Sequence, residues 1–258
     1  MGLIPSNGVL IANTDDPLIK KEIRSFSSPL ITYGLNNEAD WQARDIRIEQ
    51  GLTSFKLFQN GIFHSQFSTP LYGRHNILNM IAVIALCDRL SIKSEKIASA
   101  LKKFKGVKRR QEIKGEVNGI LILEDFAHHP TSVRVTIQAV KERYPDRRLI
   151  AVFEPRSNSS RRNIFQDLYA LSFDHADVIY IPEPPLMDKI PPAERFSSSK
   201  LVADLIKRGK KASYCSGTDL LLKELFDIRR SGDIFLIMSN GSFDQLPLRV
   251  LKNLEDQT

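Results

Sequence analysis

The segment ILILEDFAHHPTSV, residues 120–133, sets Glu124 and Asp125 just ahead of the adjacent pair His128 and His129, in a chain with five histidines. Imidazoles exchange protons near neutral pH and ligate metals, so such a pair beside carboxylates can serve acid–base chemistry or hold an ion. They can equally open a helix, because Pro130 follows and proline favours the first helical position. A metal is the poorer fit, since adjacent histidines usually point apart and no cysteine or carboxylate stands at zinc spacing.

Two further groups have the same character. VFEPRSNSSRR carries Glu154, Arg156, Ser157, Asn158 and Arg161. Arginine binds carboxylates and phosphates through a planar fork, and hydroxyls and amides add shorter-range hydrogen bonds. MSNGSF carries Ser239, Asn240, Gly241 and Ser242. Each group also has a plainer reading, as a polar loop or as a turn that needs its glycine. In the first half, YGRHNILNMIAVIAL places His75 at a helix start, with Asn76 and Asn79 on one helical face. Amides there can read the edge of a heterocycle, or simply cap the helix.

What positions these residues is the alternation of elements around them. GILILEDF, RRLIAVFEP, DVIYIPEP, KASYCSG and DIFLIMSNGSF read as strands. PTSVRVTIQAVKERY, NIFQDLYAL, SSKLVADLIKRG, TDLLLKELFDIRRSG (ending at Gly232) and DQLPLRVLKNL read as the helices between and after them. Such alternation predicts a doubly wound, mainly parallel sheet. The Asn118-Gly119 pair between two strand patterns predicts a hairpin, hence one antiparallel edge strand. In an open parallel sheet ligands gather outside the carboxyl ends of the strands. All three polar groups fall there, each just before a helix start that favours anions. Their coincidence favours a cleft for an anionic ligand over three unrelated loops.

The first part of the chain reads differently. VLIANTDDP and SPLITYG are short strands, and residues 40–70 alternate around Gly51 and Asn60-Gly61 as a β-meander. Two helical patterns follow, HNILNMIAVIALCDRL and SEKIASALKKF. A boundary near Gly106 divides the chain into residues 1–106 and 107–258.

The 258 residues are 42% hydrophobic and 26% charged, which suits a globular protein with ample core. No apolar run reaches the roughly 18 residues needed to span a bilayer, so no membrane partner is expected. Cys87 and Cys215 lie inside apolar segments and read as reduced core thiols of a cytoplasmic protein. The net charge of +7 comes from scattered basic pairs, without a basic tail, zinc-finger spacing or RNA-binding sheet motif. It therefore points to anionic small ligands rather than nucleic acid.

The stretches NTDDP, GRHNILNMIAVIAL, FKGVKRRQE, EDFAHHPTSV, VFEPRSNSSRRNIFQ and MSNGSFDQL, in this order, resemble the Mur ligase family of cell-wall enzymes. The last three look most like the member that takes a murein tripeptide. The resemblance implies an ATP-dependent amide-bond ligase that uses Mg2+ and works through an acyl phosphate. UDP-N-acetylmuramate and L-Ala-γ-D-Glu-meso-diaminopimelate would be its substrates, in peptidoglycan recycling. The alternatives are the member that adds L-alanine, and a non-catalytic peptide- or nucleotide-binding module.

The resemblance also implies roles. His75, Asn76 and Asn79 would meet the adenine, Arg110 the ribose-phosphate part and Asp125 the ribose. His128 and His129 would lie near the transferred phosphate and the incoming amine. Arg156, Ser157, Asn158, Arg161 and Asn240 would face the peptide. The family's fold would make residues 1–106 the tail of an α/β ATPase domain and residues 107–258 a Rossmann-like domain.

The chain departs from the family in one respect: it contains no Gly-Lys-Thr or Gly-Lys-Ser phosphate loop. The expectation is therefore that the phosphate loop, the UDP-sugar domain and most magnesium ligands belong to N-terminal domains outside this sequence. The chain alone would then form no amide bond.

Overall fold

A computed structural model describes residues 4–5, 7–26, 28–36 and 38–257. The chain forms two compact units that divide between Lys105 and Gly106.

The first unit holds a five-stranded sheet in sequential order: β1 (Leu10–Asn13), β2 (Leu30–Gly34), β3 (Trp41–Glu49), β4 (Leu52–Gln59) and β5 (Ile62–Thr69). The first three strands run parallel, and β3, β4 and β5 form the expected antiparallel meander. Its hairpins turn at Gln50-Gly51 (φ 48°, 81°) and Asn60-Gly61 (φ 49°, 80°). Two consecutive left-handed residues make the turn whose twist matches paired strands. The helices are α1 (Pro17–Glu22), α2 (Arg74–Arg89) and α3 (Ser94–Lys103). Ile77, Met80, Ile81 and Ile84 on α2 recur at helical spacing and pack with Trp41, Phe55, Leu57 and Phe67 of the sheet.

The second unit contains β6 (Glu112–Val117), β7 (Ile120–Asp125), β8 (Leu149–Phe153), β9 (Val178–Pro182), β10 (Ala212–Cys215) and β11 (Ile234–Met238). Its sheet order is β10-β9-β8-β11-β7-β6, parallel except for the edge strand β6. The antiparallel hairpin turns at Asn118-Gly119 (φ 53°, 77°), as its sequence predicts. The helices are α4 (Pro130–Arg143), α5 (Gln166–Tyr169), α6 (Ser198–Lys207), α7 (Thr218–Ile228) and α8 (Leu246–Glu255). Every residue of β8 and β11 is buried, which is why both read as unbroken apolar runs rather than alternating ones.

Register decides where the loops emerge. Met238 pairs with Asp125 on one side and with Phe153 on the other. The carboxyl ends of β7, β11 and β8 are therefore level, and the chain leaves all three along one edge. At the opposite end Arg148 grips Asp233 with two bonds, Nε to Oδ1 at 2.8 Å and Nη2 to Oδ2 at 2.7 Å.

Three elements differ from the sequence reading. The expected helix at NIFQDLYAL is one 3-10 turn, Asn163–Phe165, followed by the single turn α5. The Gln166 amide is committed instead to the backbone of Ser197, donating to its carbonyl and accepting from its N–H. Helix α7 stops at Ile228, short of Gly232, because Asp233 Oδ2 takes the N–H of Arg230 and draws the chain out of the helix. Helix α8 begins only at Leu246, after Phe243, Asp244 and Gln245, all left-handed with φ of 45°, 48° and 53°.

Candidate functional site

At the level strand ends of the second unit, the loop Ser239–Gly241 is held from both neighbouring strands. On the β8 side, Ser239 Oγ donates to Glu154 Oε2 at 2.5 Å and accepts the Gly241 N–H at 2.9 Å. On the β7 side, Arg109 donates through Nη2 to the carbonyls of Ser239 and Gly241. Its Nε donates to Glu124 Oε1 at 2.8 Å. A loop with side-chain partners on both flanks is ordered before any ligand arrives, so binding does not bear that entropy. The left-handed run Phe243–Gln245 follows directly, at a cost of roughly 1–2 kcal/mol per residue.

Two groups of this region remain available to a ligand. Arg156 lies against Gly241, its Nη1 3.6 Å from Glu154 Oε1. Asn240 Oδ1 is buried with no hydrogen-bond partner among the described residues. A buried acceptor left unmet costs about 1–3 kcal/mol, an expense a donor on a ligand would relieve. Burial raises the Glu154 carboxyl above its ordinary range, against the opposing pull of Ser239 and Arg156.

The histidines take distinct places. His129 is the N-cap of α4: its ring Nδ1 accepts the Thr131 N–H at 3.3 Å, with Pro130 opening the helix. The capping alternative is thus realised, and the exposed ring also stands edge-on to Phe165, 4.7 Å between centroids. His128 is half-buried, with Nδ1 2.9 Å from the Phe126 carbonyl. A carbonyl only accepts, so that nitrogen carries the proton and Nε2 keeps its lone pair in the neutral ring. The buried Tyr169 hydroxyl donates to the His128 carbonyl and fixes the backbone at the same point.

Asp125 anchors chain as well as lining the edge. Its Oδ2 accepts the Gln111 N–H at 2.8 Å, and its Oδ1 accepts the Ala127 N–H at 2.7 Å and the Thr136 hydroxyl at 3.5 Å. Burial raises its pKa, opposed by those bonds and by the positive charge of Arg110. A ribose hydroxyl would compete with these donors for the same oxygens. The exposed Arg110 stands over the Phe126 ring, as does Arg109, each 5.2 Å from its centroid.

In the loop after β8, Ser157 Oγ donates to Ser160 Oγ at 2.8 Å and accepts the Ser160 N–H at 3.1 Å. Arg161 spends Nη1 on the Leu186 carbonyl at 3.0 Å and Nη2 on Asn158 Oδ1 at 3.3 Å. Of the five residues expected at a peptide, Ser157, Asn158 and Arg161 brace loops, with Arg161 Nε left without a hydrogen-bond partner among the described residues, whereas Arg156 and Asn240 offer open chemistry. In the first unit, His75 and Asn76 are half-buried and Asn79 is exposed, all on the first turns of α2. Asn76 Nδ2 donates to the Tyr72 carbonyl at 2.8 Å, so it steadies the entry to that helix. These three residues and the strand-end groups belong to different units.

Sequence reading overlooked Arg109 and Tyr169. Arg109 looked like one half of a solvated basic pair, and only its position just before β6 hinted otherwise. Tyr169 was hidden in a presumed ordinary helix. Among the described residues no three His, Cys, Asp or Glu side chains converge on a metal position. Among the described residues no helix is long and apolar enough to cross a membrane.

Residues 109–241 match the family described as Mur ligase, glutamate ligase domain, and residues 2–87 match the Mur ligase middle domain. The UDP-N-acetylmuramate–L-alanine ligase of Caldanaerobacter subterraneus subsp. tengcongensis is 36% identical over 97% of this chain and 54% of its own length. The chain spans about half the length of the curated relatives it matches. Among solved structures, a murein peptide ligase from Psychrobacter arcticus is 28% identical, with a TM-score of 0.70 over 98% of this chain and 52% of its own. The UDP-N-acetylmuramate–alanine ligase of Thermotoga maritima gives a TM-score of 0.74 at 22% identity, over 88% of this chain and 48% of its own, a likeness of fold.

Proposed function

This chain belongs to the Mur ligase family, and we propose that it is the part of an ATP-dependent amide ligase that receives the incoming peptide. The full reaction would join L-Ala-γ-D-Glu-meso-diaminopimelate to UDP-N-acetylmuramate in peptidoglycan recycling in the cytoplasm. One observation carries the proposal. The orphan acceptor Asn240 Oδ1 stands on a loop already fixed from two sides, and Arg156, from the loop after β8, lies against it. A guanidinium answers a carboxylate, and an unmet acceptor answers an N–H, so together they suit a ligand bearing both. The tripeptide carries three carboxylates as well as amine and amide donors.

The chain's own residues would divide the work. Arg156 and Asn240 hold and orient the peptide, and orientation supplies much of the acceleration in such a transfer. His128, whose Nδ1 meets the Phe126 carbonyl, would offer Nε2 of the neutral ring to the proton that the attacking amine loses. On the nucleotide side, His75, Asn76 and Asn79 would read the adenine, with Arg110 and Asp125 toward the ribose and phosphates. ATP with magnesium, when bound, supplies the activation of the muramoyl carboxylate. The magnesium ligands would lie mostly outside this chain.

A second reading rests on the 36% identity to an L-alanine ligase: the incoming group would be free L-alanine. Calorimetric titration with tripeptide and, separately, with L-alanine distinguishes the two. The proposal expects tripeptide binding that weakens by roughly tenfold to a hundredfold in Arg156→Ala, the loss of one charged fork. Equal tripeptide affinity in both proteins would remove Arg156 from the peptide site. Binding of L-alanine alone would favour the second reading.

A further inference from the structure

Glu154 is a buried carboxylate in the strand-end loops that the proposed reaction does not use. It follows β8 immediately, its backbone N–H bonds to the Met238 carbonyl at 3.0 Å, and its side chain is 7% exposed. Its two oxygens meet both loops of the proposed peptide site: Oε2 takes the Ser239 hydroxyl and Oε1 faces Arg156 Nη1. Ser239 in turn holds the Gly241 N–H, and Gly241 is the residue on which Arg156 rests. The contacts close a ring, Glu154 to Ser239 to Gly241 to Arg156 and back to Glu154. Arg109, carried by Glu124, holds the same loop from the far side through two of its carbonyls.

An arginine side chain has several freely rotating bonds, and fixing them on binding costs affinity. One whose guanidinium is already anchored loses less. The 3.6 Å separation of Arg156 from Glu154 is also loose enough to leave the fork mostly free for a ligand.

We propose that Glu154 is a positioning residue for carboxylate recognition: it fixes Arg156 over Gly241, directly and through Ser239, so that the fork stands oriented before a carboxylate arrives. The substrate half of this inference rests on the peptide reading above; the positioning half does not. Glu154→Gln is nearly isosteric and keeps an acceptor for Ser239 while removing the charge that holds Arg156.

Two measurements on the full chain separate the halves. The Arg156 Nε–H resonance, assigned by its loss in Arg156→Ala, reports the side chain without any ligand. In Glu154→Gln it is expected to broaden and to exchange faster with water. In calorimetry, Glu154→Gln is expected to bind tripeptide about tenfold more weakly, with the double variant Glu154→Gln/Arg156→Ala no weaker than Arg156→Ala alone. An unchanged Nε–H resonance overturns the positioning role, as does a loss in the double variant that is the sum of the two single losses. Should the native chain bind no tripeptide, the peptide reading fails while the resonance still decides the role of Glu154. If the Gln variant does not fold, Glu154→Asp, which keeps the charge but withdraws it from Arg156, is expected to change the resonance in the same direction.

Discussion

Arg156 lies against Gly241 so closely that a β-carbon on the glycine would overlap its Cδ and Nε. Gly241 is not among the left-handed glycines, so its backbone conformation is open to alanine. What the glycine provides is room for the arginine, not a turn. Gly241→Ala is therefore expected to push Arg156 aside and lower tripeptide affinity to the level of Arg156→Ala. Its urea unfolding free energy should stay within about 1 kcal/mol of native. An affinity equal to the native value would show that Arg156 binds from elsewhere.

The pair Arg148–Asp233 lies at the other end of the sheet, away from the strand-end loops. Asp233 is 2% exposed in its side chain and accepts two bonds from the guanidinium and one from the Arg230 N–H. Truncating one partner of a buried pair leaves the other unpaired, which costs about 3–5 kcal/mol. Arg148 is partly solvated, so Asp233→Ala is expected near the lower end, about 3 kcal/mol by urea unfolding. Tripeptide affinity of the folded fraction should be unchanged, because none of these groups touches the Ser239–Gly241 loop.

The sequence made the sheet legible wherever one physical signal dominated. Continuous apolar runs marked the buried strands, and Asn-Gly pairs marked two hairpins. Polar groups at strand ends marked the edge that matters, including Glu154 and Ser239. Long-range partners were not legible. Arg109 meets the Ser239 carbonyl across 130 positions of sequence, and no local pattern records such a contact. The shortened α5 was lost for the same reason, since Gln166 to Ser197 spans 31 positions; α7 was lost to a local bond, Arg230 N–H to Asp233 Oδ2, that competes with the helical pattern. Arg156 and Arg161 looked alike in one polar loop. Only their surroundings separate a guanidinium left open from one spent on the Leu186 carbonyl.

Glu154 also gives stability a pH dependence whose sign follows from its surroundings. Burial raises its folded pKa above the ordinary value of 4.5. The folded state then binds the proton more tightly than the unfolded state, so the favourable contribution is complete below pH 4.5 and disappears as pH rises through the folded value. The native chain should therefore lose stability relative to Glu154→Gln on going upward from pH 4.5, and the difference should level off at higher pH. Urea unfolding of both proteins across about pH 4–8 measures it. A difference independent of pH would mean that Glu154 is not strained by burial.

His129 poses a question that one substitution can separate. Its ring caps α4 through Nδ1, a role asparagine fills at least as well. His129→Asn should therefore keep the unfolding free energy within about 0.5 kcal/mol of native, while alanine, with no acceptor, should lose about 1 kcal/mol. If the imidazole also assists the reacting groups, the complete ligase carrying His129→Asn should lose turnover about a hundredfold at unchanged stability. If it only caps the helix, turnover should persist, and the proton should pass to Nε2 of His128, the acceptor nitrogen of the neutral ring whose Nδ1 meets the Phe126 carbonyl. His128→Gln would then abolish turnover in the complete ligase while the asparagine variant of His129 does not, and that pair of rates assigns the base.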